Sequence, residues 1–359
     1  MPTDTNAEPQ PFHCDQGDGS PDVDERGPEI HDLALVEVDG ERHLAIVASP
    51  PEQAGIEPRQ REIHVWWFDT ARRVVERLDP RAVDLPLPKE VALGAAAGRI
   101  IAAGTNNFEW PAFIGRWGVA PGWTGVAGTL DATVATLTGP QAASVTVPMK
   151  WSTAGIGCAQ WLYAPRLHPA AGGPGVLVSM ETTDGQAALW RYDPPGGRVA
   201  PVAMIPSTVD PVIFPRGDGM EILRRLPDPS WSGFHDGPRY SFARGPVALP
   251  VSLIEVGPDG ALRRERQPDL GPCFAFDAAP DPAGGFIIAA AGGSLEQPLL
   301  AVYRAAALGL PYTVVDTLPL PHPPIEVRVL AADGGILLAL LYQVSGVRSV
   351  QGYYRAPTP

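Results

Sequence analysis

One pattern recurs along this chain and constrains its fold more than any other feature. It is a short apolar strand, a Gly-containing turn, and a second, more strongly apolar strand. The pattern appears as LALVEVDGERHLAIVAS (33–49), VALGAAAGRIIAAG (91–104) and YAPRLHPAAGGPGVLVSM (163–180). It returns as PVIFPRGDGMEILRRL (211–226), CFAFDAAPDPAGGFIIAAA (273–291) and EVRVLAADGGILLALLY (326–342). Each of the first five is followed by a more polar hairpin, at 64–79, 133–148, 188–202, 251–266 and 300–318. An apolar hairpin followed by an alternating one describes a four-stranded sheet. Its inner two strands are buried on both faces and its outer two face water. With 39 Gly and 42 Pro among 359 residues, turns are frequent and long helices are not expected.

Repeated around an axis, such sheets form an all-β six-bladed β-propeller with four-stranded blades, which hides its sheet edges by radial packing. The last unit supplies only a third strand, in SVQGYYRAPTP (349–359). The N-terminal segment near Gln10–Cys14 is the expected fourth strand, closing the ring. A seventh blade in 105–132 is the alternative, but that stretch lacks a hairpin pair. The domain reading is an acidic segment over 1–28, part of it closing the last blade, and a single propeller over 29–359 with long insertions at 105–132 and 226–246. At the third unit, Ala164-Pro165-Arg166-Leu167-His168-Pro169, a Gly-rich turn, Val176-Leu177-Val178-Ser179 and Leu189-Trp190-Arg191-Tyr192-Asp193 follow one another. This stretch resembles the WD40-like repeats of TolB-type six-bladed propellers. His168-Pro169-Ala170-Ala171 stands where that family has Ser-Pro-Asp-Gly. The resemblance implies the fold and leaves activity open.

Charge narrows the partners. The net charge is −13, the opposite of a nucleic-acid footprint, and residues 1–32 hold nine acids against Arg26 alone. No apolar run approaches the roughly 20 residues that span a bilayer, so no membrane partner is expected. The start, MPTDTNAEPQPF, has neither a basic nor an apolar leader region, which sets a cytoplasmic expectation. Cys14, Cys158 and Cys273 are odd in number and far apart, against a disulfide framework or structural zinc. A closed ring with no free sheet edge suggests a monomer.

Candidate site residues fall in two groups. The insertions 105–132 and 226–246, the loop 50–61 and the connector 149–162 all emerge on one face, and six of the nine Trp lie in them. Long loops on one face of a rigid scaffold are where binding residues usually sit. This reading sets Asn107, Trp110, Trp117, Trp151, Gln160, Trp161, Trp231, Arg239 and Tyr240 against a ligand. His235, Asp236, Glu109 and His31 are the candidate proton carriers. The bland alternative is a lid that buries its own aromatics. A second group, Glu29, Glu90, Asp210 and Glu326, begins the inner strands at the channel mouth. Carboxylates converging there would suit Ca²⁺ or Mg²⁺, or acid–base work. No cofactor and no protein metal site is otherwise expected.

Several familiar chemistries lack their anchors. There is no GxSxG elbow and no HExxH or His-x-His pair. Four single histidines could bind iron as in carotenoid oxygenases, but that family's motifs are missing. The Glu, Asn and Asp metal set of gluconolactonase-like propellers finds only Glu29. Thr182-Thr183-Asp184-Gly185 with Trp190 resembles a sialidase Asp-box, one residue short and present once, and reads as an ordinary turn. Asp15-Gln16-Gly17-Asp18-Gly19-Ser20-Pro21-Asp22 resembles the calcium loop of FG-GAP repeats. With Cys14 and Gln16 at ligand positions, it reads as an acidic turn. The expected function is therefore a small-molecule-binding propeller. Its expected reaction is non-hydrolytic, of lyase, isomerase or cyclase type, on an apolar ring-bearing substrate. A protein-interaction scaffold that turns nothing over is the alternative.

Overall fold

The computed structural model describes residues 208–226 and 245–355, with short breaks, together with the β-strands that lie outside those ranges. In chain order the strands are β1 (Gln10–Cys14), β2 (Glu29–Val38), β3 (Glu41–Ser49), β4 (Arg61–Asp69), β5 (Val74–Arg77) and β6 (Arg81–Val83). Next come β7 (Val91–Ala96), β8 (Arg99–Thr105), β9 (Thr129–Thr136) and β10 (Ser144–Lys150). β11 (Leu162–Pro169), β12 (Val176–Thr182), β13 (Ala187–Asp193) and β14 (Arg198–Ile205) follow. The next stretch holds β15 (Val209–Arg216), β16 (Gly219–Arg225), β17 (Tyr240–Ser241), β18 (Gly245–Pro246), β19 (Val251–Val256) and β20 (Leu262–Arg266). The chain ends with β21 (Ala275–Pro280), β22 (Phe286–Gly293), β23 (Pro298–Ala305), β24 (Thr313–Pro319), β25 (Pro324–Ala332), β26 (Gly335–Val344) and β27 (Val347–Arg355). For β1 to β10 the backbone pairing is described, with side chains only at positions 33–35, 92 and 94.

The strands form antiparallel meanders: β2-β3-β4-β5 with β6 beside β4, β7 to β10, β11 to β14, β15-β16-β19-β20, β21 to β24, and β25-β26-β27-β1. This is an all-β propeller. The segment Gln10–Cys14 pairs along β27 from Gln10↔Tyr354 to Cys14↔Val350, so the first strand of the chain lies beside the last. Successive first strands also neighbour one another: β2 lies against β7, β7 against β11, β11 against β15, β15 against β21, β21 against β25, and β25 against β2.

Burial follows the composition of each hairpin. β16 and β26 are buried almost throughout, whereas β20 and β24 are mostly exposed or half-buried. The core lies between sheets. One cluster joins Leu189 and Ile205 to Ile222 and Ile254. A second joins Leu223 and Leu253 to Phe276 and Ile288, and a third joins Ile287 and Val302 to Leu338 and Tyr342. Each apolar strand is thus covered by the next sheet, which is why these hairpins read as continuous hydrophobic runs.

Four first strands share an irregularity near their starts. Register shifts fall between Ile30 and Asp32, Tyr163 and Arg166, Val209 and Val212, and Pro324 and Glu326. Pro165 and Pro211 lie inside two of these shifts and Pro324 opens another, positions where a missing N–H costs the ladder least. A bulge re-aims the side chains beside it. Here it sets Arg166, Asp210 and Glu326 toward the axis.

Candidate functional site

Ion pairs run across the axis at this level. Asp210, buried and in the left-handed region at φ 46°, accepts from Arg225 Nη2 through its Oδ2. Arg225 Nη1 donates to the carbonyl of Phe274, which ties β16 to the start of the next sheet. Arg166 Nη2 lies 3.2 Å from Asp210 Oδ1 and donates to Glu326 Oε2 at 3.1 Å. The same Glu326 oxygen accepts from Arg328 Nη1 at 2.6 Å, and Arg328 Nε donates to the Leu33 carbonyl at 3.0 Å. Three guanidiniums and two carboxylates therefore join β2, β11, β15, β16 and β25 to the approach of β21. Buried pairs like these are costly to form, and removing one partner typically costs about 3–5 kcal/mol.

Beside this tier lies a cavity of about 270 Å³. Its lining draws on β2, β7, β11, β15, β21 and β25, the first strand of every four-stranded meander. Its polar side chains are Arg166, His168, Asp277 and Arg328, and Leu167, Val212, Phe214 and Leu330 are among its apolar ones. Asp277 Oδ2 accepts from the Val329 N–H at 2.9 Å. Burial pushes the Asp277 carboxyl above the usual range, while Arg328 and Arg166 pull it back. It is a carboxyl that keeps its proton longer than most.

His168 has a different part. The Ile213 N–H donates to its Nδ1 at 3.4 Å, so the neutral ring carries its proton on Nε2, 2.8 Å from Ser179 Oγ. Burial, then Arg166 and Arg328, push its pKa down to about 3. The ring is a neutral strut joining β11, β12 and β15 and is spent as a base. Cys273, at the approach to β21, is buried and its thiol is pushed up to about 12, which leaves it inert near neutral pH.

Asp210 and Glu326, expected at the channel mouth, lie near the starts of β15 and β25. They meet arginines rather than one another, so a Ca²⁺ or Mg²⁺ ion there would face guanidinium charge. Among the described residues, no group of three His, Cys, Asp or Glu is placed to hold a metal ion. Glu29 and His31 lie on β2 and Tyr240 on β17, for which the backbone alone is described. Glu90, Asn107, Glu109, Trp110, Trp117, Trp151, Gln160, Trp161, Trp231, His235, Asp236 and Arg239 lie outside the described residues.

Arg225 and Asp277 escaped the sequence reading, Arg166 and His168 entered it without a site role, and Arg328 entered it beside Glu326 at the channel mouth. A signal was present. Pro165-Arg166, Asp210-Pro211 and Pro324-Ile325-Glu326 each set a proline beside a charge at the start of a first strand. That combination marks a bulge aimed inward.

Neither a protein-family model nor a curated protein matches the sequence. Among solved structures, Trypanosoma rangeli sialidase with the inhibitor DANA is similar at 9% identity and TM-score 0.54, over 92% of this chain and 55% of that one. A second structure of Trypanosoma rangeli sialidase gives 10% identity and TM-score 0.53, over 97% and 57%. A GH43_1 enzyme of Xanthomonas citri aligns at 12% identity and TM-score 0.42, over 93% and 92%. The chain thus spans a little over half the length of the sialidases. At these identities the similarity to the sialidases shows the propeller fold and nothing finer.

Proposed function

We propose that this chain is a six-bladed propeller that binds a small anionic, polyhydroxylated molecule in its central channel and hydrolyses it. The blade count is supported by the meander of four strands repeated from β2 to β1 and by the ring of neighbouring first strands. One observation carries the functional reading: Arg166 and Arg328 line the same cavity as Asp277, a carboxyl inclined to hold a proton. Guanidiniums in a half-buried site suit a carboxylate or phosphate. A raised carboxyl suits proton delivery to a leaving oxygen, with the arginines orienting the ligand beside it.

The lyase, isomerase and cyclase readings need the same proton carrier. Glycosidic hydrolysis is the reaction to assay first, because a propeller of the same fold is a sialidase solved with sialic acid bound. The site also moves from the aromatic loops to the channel, and its ligand from apolar to charged.

Calorimetric titration with acidic sugars (sialic acid and uronic acids) and their neutral counterparts tests this. The acidic compounds should bind and the neutral ones should not, and Arg328→Met should weaken binding by about tenfold or more, the loss of one charge-assisted contact. Asp277→Asn should keep binding and abolish release of the leaving group from an aryl glycoside. Equal binding of neutral and acidic sugars, or full turnover in Asp277→Asn, would overturn the reading.

A further inference from the structure

The cavity and the ion-paired tier share Arg166 and otherwise lie at different depths along the first strands, which bears on how a ligand reaches the site. Val209 pairs with Arg225, so the start of β15 and the end of β16 lie on one face, the face from which the 226–246 insertion departs. Val91 pairs with Gly104 in the same sense at the 105–132 insertion, and the connector 149–162 leads into the start of β11. The insertion face is therefore the face of first-strand starts. The opposite face carries the turns between first and second strands, such as Asp281 to Gly285.

The tier sits toward the starts: Asp210 is the second residue of β15, Arg225 the last of β16 and Glu326 the third of β25. Relative exposures are 0% for Asp210, 1% for Arg225, 3% for Glu326 and 4% for Arg166, so solvent does not reach these four side chains. The cavity lining lies further along. It takes residues 34 and 35 of β2, 92 and 94 of β7, 166 to 168 of β11, 277 to 280 of β21 and 328 to 330 of β25. Exposure reappears at its turn-side end, where Pro280 is exposed and Leu35 and Leu330 are half-buried.

We infer that the channel site opens on the face of the first-to-second-strand turns, and that the Arg166–Asp210–Arg225–Glu326 tier closes it toward the insertion face. The long aromatic insertions would then serve something other than admitting the channel ligand. This inference takes the cavity as the ligand site from the proposal above, but the route is tested without that ligand.

The test is thiol labelling at Leu167→Cys, a cavity position, with Cys14 and Cys158 replaced by Ser. Cys273 is kept as the inert background. The probes are the anionic sulfonatoethyl and cationic trimethylammonioethyl methanethiosulfonates. Placing a bulky ring at the turn-side rim, by Pro280→Trp or separately Leu330→Trp, should slow labelling by about tenfold, since thiol reactivity follows access. Glu326→Gln, which loosens the tier, should leave the rate within about twofold.

Labelling unaffected by both rim variants, or speeded about tenfold by Glu326→Gln, would place the mouth on the insertion face and overturn the inference. Labelling seen only after urea unfolding would show a closed cavity and overturn it as well. A faster anionic than cationic reagent speaks to the arginines, and hence to the anion reading alone. The two ideas therefore fail separately.

Discussion

His168 shows how far an environment can carry one side chain from its ordinary chemistry. Isolated, a histidine in a strand is a natural candidate base. In the fold it is buried between Ser179 and the Ile213 N–H, with Arg166 and Arg328 near, and titrates at about 3. The sign of the pH effect follows. The native pKa lies below the unfolded value of about 6.5, so the native state favours the neutral ring. Its contribution is complete above pH 6.5 and is lost as pH falls from there to about 3. In that window stability should fall by about 1.4 kcal/mol per pH unit from this residue. Asp277 works the other way: raised in the native state, its contribution is lost as pH rises. His168→Gln keeps an acceptor for Ile213 and a donor for Ser179 without the titration. Urea unfolding at pH 4.5, 5.5 and 6.5 should show wild type losing its advantage over His168→Gln at that slope. Parallel curves for the two proteins would remove His168 as the source.

Among the strands, the apolar hairpins were legible because each inner strand is covered on both faces and cannot carry an alternating pattern. The outer hairpins were legible because water on one side enforces alternation. The channel chemistry was not. A single Arg166 or Asp277 inside an apolar strand has no visible partner in sequence, because its partner comes from another sheet. Glu326 and Arg166, for example, are 160 positions apart. The bulges that aim these groups change register without changing composition. Close approach between neighbouring first strands is equally hidden. A Cβ built on Gly94 of β7 would lie 2.6 Å from Leu167 Cβ of β11, too near for either backbone to ignore. Gly94→Ala should cost about 1–3 kcal/mol, as overpacking usually does. If the clash is the cause, Leu167→Gly should relieve part of that cost in the double variant, giving a favourable coupling term in a double-mutant cycle of unfolding free energies. Strict additivity would show that the two strands stand further apart.

Closure of the propeller joins its two ends, and this sets the cost of losing a short N-terminal segment. β27 has β26 on one side and β1 on the other, from Gln10↔Tyr354 to Cys14↔Val350. Without β1, the N–H and C=O groups of β27 that face it form an exposed edge beside an apolar sheet, a template for pairing with another chain. The effect also reaches inward. Leu338 and Tyr353 of that sheet belong to the cluster that packs against β22 and β23, so fraying at β27 opens core shared with the preceding sheet. Removal of residues 1–9 leaves β1 whole and should change the melting temperature little. Removal of residues 1–14 should lower it by several degrees, with each kcal/mol lost worth about 2–4 °C in a chain of this size or somewhat smaller. The same protein should gain concentration-dependent association, read by light scattering. Equal melting curves and monomer mass for the two truncations would mean that β27 is held by β26 and its core contacts alone. The ring would then owe its closure to packing between first strands rather than to the strand that joins its ends.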